Sequence, residues 1–182
     1  AMKKAGFNAV TIANNHIMDQ EPGGVANTMN ELDRAGIPFV GAGRNSTECF
    51  NGRVFAVRGI TVGVTAATDL INREIPPLKG GLAVNRFANP AFVESVRSLR
   101  TRCEFLVAVI HAGEEYRAGP SARDVKLYRA MAEAGADLVI GHHPHILQRT
   151  ERIRRPDGGT CIVFYSLCNF ISILCGPGTR DS

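Results

Sequence analysis

Four consecutive positions, His142-His143-Pro144-His145, hold three of the chain's five histidines. They follow Leu138-Val139-Ile140-Gly141, an apolar run of the kind that forms a buried strand. A loop at the carboxyl end of such a strand opens into the crevice where α/β sheets bind ligands. Neutral imidazole is a common transition-metal ligand, and three rings this close cannot all hold a proton near neutral pH. Proline restricts the backbone between His143 and His145, so alternate side chains can face one ion. The cluster points to a metal.

Three more apolar runs lead into loops of similar character. Ala13-Asn14-Asn15-His16, with Asp19 one turn later, follows Ala9–Ile12. The run Phe105–Ile110 ends in His111-Ala112-Gly113-Glu114-Glu115-Tyr116, and Cys161–Tyr165 ends in Ser166-Leu167-Cys168-Asn169-Phe170. Taken singly, His16 reads as a core or cap histidine and Asn169 as a turn residue. Glu115 and Tyr116 read equally as solvated or as lining a pocket. Four such loops at the ends of strands in one sheet converge on one crevice, which is the geometry a metal site needs.

The elements that must position these loops share one grammar. Ala5-Gly6, Ala35-Gly36 and Ala134-Gly135 each precede an apolar strand and then a polar or glycine-rich loop. Glycine just past the last helical turn takes the left-handed conformation that ends a helix cheaply. Helix, short loop and strand in repetition predict an α/β fold. Apolar spacing predicts helices over Val25–Ala35, Pro90–Thr101 and Ala122–Ala134, the last opened by a Ser121–Asp124 capping box. Strands are expected over Val54–Val57, Thr61–Thr65, Phe105–Ile110 and Cys161–Tyr165, the first two as a hairpin turning at Arg58-Gly59. Residues Asp69 to Asn89, with Pro76-Pro77 and Gly80-Gly81, form a long irregular excursion expected to rim the site. Only Ala1 to Ala5 precede Gly6, fewer than the about 11–12 residues of a typical helix, so the reading is one domain over 1–182 that lacks its N-terminal strands.

With 182 residues, 45% hydrophobic and 21% charged, the composition is that of a globular domain with a real core. A net charge of +4 without a basic run argues against nucleic-acid binding, and Arg149–Arg155 reads as a solvated turn between strands. Cys49, Cys103, Cys161, Cys168 and Cys175 are scattered and odd in number, which argues against a disulfide framework and a thiolate zinc site. Cys103 and Cys161 read as small buried hydrophobes.

The four loops occur together in a recognisable order. Ala13-Asn14-Asn15-His16, His111-x-Gly113-x-Glu115-Tyr116, Gly135-Ala136-Asp137-Leu138-Val139-Ile140-Gly141-His142-His143-Pro144-His145 and Tyr165-Ser166-Leu167-x-Asn169-Phe170 resemble the CapA-type proteins of poly-γ-glutamate capsule biosynthesis. Those proteins fall within the calcineurin-like metallophosphoesterase superfamily, and the resemblance runs from Ala1 to about Ile171. It implies an α/β sandwich of two sheets flanked by helices, here incomplete at its N-terminus. It also implies Asn15, His111, His143 and His145 as metal ligands, and His16 as the acid that protonates a leaving oxygen. Asp19 would then orient His16, while His142, Glu115, Tyr116 and Asn169 would support the ligands or line the substrate pocket.

By resemblance the cofactor is a pair of divalent ions (Mn, Zn or Fe) and the chemistry metal-dependent hydrolysis of a phosphoester, or of an amide in an anionic polymer. The alternative is a non-catalytic capsule-assembly component that binds an anionic polymer or partner proteins. Either role implies the cell envelope, membrane-bound capsule-synthesis partners and no nucleic acid. Two departures stand out. Cys168 occupies a position where the family has glycine, and the Gly-Asp strand end that supplies carboxylates does not occur before Asn15. Asn15, His111, His143 and His145 are all neutral, so two divalent ions would lack counter-charge, and the expectation for this polypeptide is impaired metal loading.

Overall fold

A computed structural model of the chain describes residues 2–73, 81–87 and 89–169. A short 3-10 turn, Met2–Ala5, leads through Gly6 into β1 (Val10–Thr11). Then come α1 (Glu21–Arg34), β2 (Phe39–Val40), β3 (Ala42–Gly43), α2 (Ser46–Phe50), β4 (Arg53–Val57) and β5 (Ile60–Thr68). The second half holds β6 (Ala83–Val84), α3 (Pro90–Arg100), β7 (Phe105–His111), α4 (Ala122–Glu133), β8 (Leu138–His142), β9 (Thr150–Arg154) and β10 (Thr160–Phe164).

Six strands form one sheet in the order β4-β5-β7-β8-β10-β9. The four central strands are parallel, and β4 and β9 pair antiparallel at the two edges. Parallel pairing puts the carboxyl ends of β5, β7, β8 and β10 along one edge. The register aligns Thr68 with His111 and His111 with His142, so two histidines of separate motifs become lateral neighbours. Two further pairs, β1-β2 and β3-β6, stand apart from this sheet.

Alternation along the central strands sorts side chains to two faces. Leu106, Ala108, Ile110, Val139, Cys161 and Val163 point to one face and are fully buried against Phe92, Val96 and Leu99 of α3 and Tyr128 and Met131 of α4. Each large apolar side chain so withdrawn from water contributes about 1.5–3 kcal/mol. The opposite face carries Val62, Val64, Val107, Val109, Leu138, Ile140, Ile162 and Phe164, all half-buried. There Ala13 and Val40 pack on Ala66, with Val64 and Val109 against them. His111 and His142 share the alternation of this second face, so the candidate site opens on the less covered side of the sheet.

Helix punctuation follows the sequence closely. Ser121 and Asp124 form the capping box of α4, Asn89 caps α3 by accepting from Ala91 N–H, and Gly135 adopts φ +109°. The Arg58-Gly59 turn joins β4 to β5 as the hairpin pattern requires, and Cys103 and Cys161 are buried. Several elements differ from expectation. Arg149–Arg155, expected as a solvated turn, contains the edge strand β9. There Thr150, Arg152 and Arg154 face solvent while Glu151 and Ile153 turn inward, so charge on an edge strand resembled a loop. α1 begins a full turn before Val25, because Pro22 is tolerated in a first helical turn whose N–H groups have no partner anyway. β5 continues through Ala66-Ala67-Thr68, where small side chains hid a buried strand. Pro76-Pro77, Gly80, Phe170 and Cys175 lie outside the described residues.

Candidate metal centre

The ends of the central strands deliver the site. His111 and His142 are the last residues of β7 and β8, and the turn after β8 carries His143 and His145. Asn15 follows β1 in the loop through Ala13-Asn14, and Asn169 lies in the loop after β10. His143 adopts φ +109° and His145 φ +60°, while Tyr116 and Cys168 in the facing loops adopt +59° and +63°. Non-glycine residues in this region cost on the order of 1–3 kcal/mol each and cluster where surrounding structure holds them for function.

Two groups of donor atoms result. In the first, His111 Nε2 lies 2.9 Å from Asn15 Oδ1, and both residues are buried. Two ligands of one cation, each about 2.1 Å from it at a right angle, stand about 3 Å apart. His111 Nδ1 lies 2.8 Å from His142 Nδ1. With the shared proton on the His111 side, His111 Nε2 and Asn15 Oδ1 both present lone pairs toward one point. Burial, and then the charge of neighbouring rings, lowers the His111 pKa to about 2 and the His142 pKa to about 4. Burial lowers that of His143 too. These rings are neutral at physiological pH, the state a metal ligand needs.

The second group is Glu115, His143 and His145, whose donor atoms all lie within 4.8 Å of one another. Glu115 Oε1 is 4.0 Å from His145 Nε2. His145 Nδ1 lies 2.8 Å from Asn169 Oδ1, so its N–H donates there and Nε2 is left as the free lone pair toward Glu115. Tyr116 stacks on His145 with ring centroids 5.9 Å apart, and the Cys168 thiol donates to the His145 carbonyl at 3.0 Å. His143 Nδ1 and Asn169 Nδ2 are buried without a hydrogen-bond partner among the described residues. A carboxylate with two imidazoles at this spacing, one of them carrying an orphaned ring nitrogen, fits a divalent cation. The ring centroids of His111 and His143, 4.8 Å apart, join the two groups into one centre.

His16 stands at the rim and is exposed. Its Nδ1 lies 2.6 Å from Asp19 Oδ2 and 3.1 Å from Asn72 Nδ2. Asn72 also accepts from Asn15 Nδ2 at 3.0 Å. Asn15, His16, Asp19, His111, Glu115, Tyr116, His142, His143, His145 and Asn169 thus gather at the carboxyl end of the six-stranded sheet. The loop with Asn15, His16 and Asp19, however, follows β1 of a separate two-stranded pair and not, as expected, a strand of the same sheet. Two things were not legible. Glu115, expected to support the ligands or line the pocket, instead stands with its carboxylate in the donor group of His143 and His145. Asn72 belongs to no motif, and nothing in Leu70-Ile71-Asn72 marks it.

Comparison with known proteins gives the family and a likeness of fold. The family model described as bacterial capsule synthesis protein PGA_cap matches residues 1–173. The whole chain is 33% identical to the capsule biosynthesis protein CapA of Bacillus anthracis, covering 44% of that protein. It is 31% identical to the PGA biosynthesis protein CapA of Bacillus subtilis (strain 168), covering 47% of it. The chain therefore spans about half the length of the curated relatives it matches. Among solved structures, a 5'-nucleotidase precursor from Thermus thermophilus superposes with a TM-score of 0.59 at 20% identity, over 89% of this chain and 33% of that one. That likeness is one of fold.

Proposed function

The chain belongs to the PGA_cap family of bacterial capsule synthesis proteins, and from that premise we propose that its histidine-lined sheet edge is a metal-dependent hydrolase site serving capsule assembly. The observation that carries the reading is the meeting of two donor groups, Asn15 with His111 and Glu115 with His143 and His145, at the ends of parallel strands. Two adjacent groups suit two cations, with manganese, zinc and iron the candidates by ligand type. A divalent cation so held supplies Lewis-acid charge and makes water a stronger nucleophile near neutral pH.

The protein's own residues do the rest. His142 holds the His111 ring through Nδ1, and Asn169 holds His145, so that each ligand nitrogen stays aimed. His16, steadied by Asp19, is placed to give a proton to a departing oxygen. Beside it lies a cleft of about 680 Å³, lined by Ile12, Asn14, Gln20, Asn27 and Thr28 and by no carboxylate, lysine or arginine among the described residues, with room for the departing part of a substrate. The substrate class is a phosphoester, or an amide of an anionic polymer. The working location is the cell envelope beside membrane-bound synthesis partners, in keeping with the relatives' roles. No helix among the described residues is long and apolar enough to cross a membrane.

Charge limits the loading. Glu115 is the one carboxylate in the two donor groups, while two divalent ions bring four positive charges. This polypeptide is therefore expected to load metal poorly, holding one cation weakly at most; stoichiometric binding of two by this chain would refute the charge argument. Manganese or zinc with a chromogenic phosphodiester tests the activity: turnover that His143→Ala abolishes supports the hydrolase. Binding of polyglutamate without turnover would favour a polymer-binding assembly component instead.

A further inference from the structure

Asn72 follows β5 in an exposed stretch, outside every motif that marked the site, yet it touches two of the site's residues. Its backbone N–H donates to the Asn15 carbonyl at 2.9 Å, which ties the two segments together. Its Oδ1 accepts from Asn15 Nδ2 at 3.0 Å, and its own Nδ2 sits 3.1 Å from His16 Nδ1. We propose that Asn72 is a positioning residue that keeps the Asn15 amide turned with Oδ1 toward His111; this rests on the metal-site reading above.

The argument begins with a symmetry. The two ends of a carboxamide have nearly the same shape, and the terminal torsion of asparagine is broad and roughly two-fold. Packing alone therefore cannot choose whether Asn15 presents oxygen or nitrogen to His111, and only the oxygen can serve a cation. A hydrogen-bond acceptor behind Asn15 makes the choice, because it pairs with the NH2 end alone. Asn72 Oδ1 is that acceptor. Its own NH2 then faces outward, beside the His16 ring whose Nδ1–H is donated to Asp19. Outer partners of this kind typically change metal affinity or activity about 10–100-fold when removed.

Two substitutions at this exposed position test the acceptor. Asn72→Asp keeps an acceptor for Asn15. Asn72→Leu, of similar size, loses it. Calorimetric titration with Mn2+ is expected to give Asn72→Asp an affinity at least equal to the parent's and Asn72→Leu one at least tenfold weaker. With a chromogenic phosphodiester, Asn72→Leu should need more metal to saturate, and Asn72→Asp should not. Circular dichroism melts matching the parent establish that the fold is intact. A parent protein that binds no Mn2+ refutes the metal-site reading itself. A parent that binds, with Asn72→Leu binding and turning over equally well, refutes the role of Asn72 alone.

Discussion

Gly141 separates the buried part of β8 from the histidine turn, and replacing it by alanine should disturb both. A Cβ built there meets the Tyr165 carbonyl oxygen at 2.1 Å and the Tyr128 ring at 2.5 Å (hydroxyl oxygen) and 2.7 Å (Cε1). Ordinary contacts begin near 3.4 Å, so the neighbours must retreat by about 1 Å. None can do so easily. Tyr128 and Tyr165 are both fully buried, and the Tyr165 hydroxyl donates to Glu151 at 2.7 Å. Leu167 N–H donates to the Gly141 carbonyl at 3.1 Å.

Overpacking of a well-filled interior costs about 1–3 kcal/mol. The clash with backbone places Gly141→Ala at the upper end, about 3 kcal/mol. For a domain of this size that corresponds to a melting temperature lower by about 6–12 °C. The chain has no tryptophan, so far-ultraviolet circular dichroism is the suitable probe. The displaced Tyr165 carbonyl begins the loop that carries Asn169, the partner of His145, so Mn2+ affinity should fall as well. Gly23→Ala is the control: Gly23 is helical, an added Cβ meets nothing within 4 Å, and the change should stabilise by about 0.5–1 kcal/mol. A Gly141→Ala protein that melts within about 1 °C of the parent and binds Mn2+ equally would show that the strand end does not hold the histidine turn as argued.

Other perturbations test separate parts of the reasoning. Asp137, at the opposite end of β8, accepts from Leu106 N–H and from the guanidinium groups of Arg100 and Arg155. Asp137→Ala should cost about 3 kcal/mol by leaving two half-buried cations together, yet leave Mn2+ affinity within about twofold; a large loss of affinity would break the separation drawn between the two strand ends. Acidification acts on the site itself. The folded pKa values of His111 and His142, about 2 and about 4, lie below the ordinary 6.5 because of burial. Below about pH 6.5 the unfolded chain takes up protons that the fold refuses, so stability falls by about 1 kcal/mol per pH unit for each ring. His142 ceases to contribute near pH 4, and nothing is lost above about pH 7. Melting temperatures measured from about pH 8 to about pH 4 should be flat and then decline; a constant value throughout would mean the rings are not buried neutral. His143→Ala should remove one donor of the second group and reduce Mn2+ affinity at least tenfold by calorimetry, and unchanged affinity would exclude that group.

Much of the fold was legible because its signals are local. The Ser121–Asp124 box, the Arg58-Gly59 turn and the apolar runs before each functional loop depend on residues within a turn of one another, and the structure keeps them all. The misreadings share one cause. β9 hides as a charged segment because an edge strand needs only one covered face, and the start of α1 hides behind a proline that a first helical turn accepts. The alanines at the end of β5 gave no strand signal because the burial of Ala66 comes from Ala13 and Val40, far away in sequence.

What the amino-acid sequence settled by itself is the inventory: which side chains can donate to a metal, and that four polar loops each end an apolar strand. Residue type and near-neighbour spacing carry that information. The tertiary structure decided which donors meet. Parallel register placed His111 beside His142, and the fold set the Glu115 carboxylate among the donor atoms of His143 and His145. It also brought Asn72 across 57 positions to face Asn15. Those choices depend on how strands align and loops fold over a shared sheet edge, a property of packing between distant segments, and no local pattern encodes it.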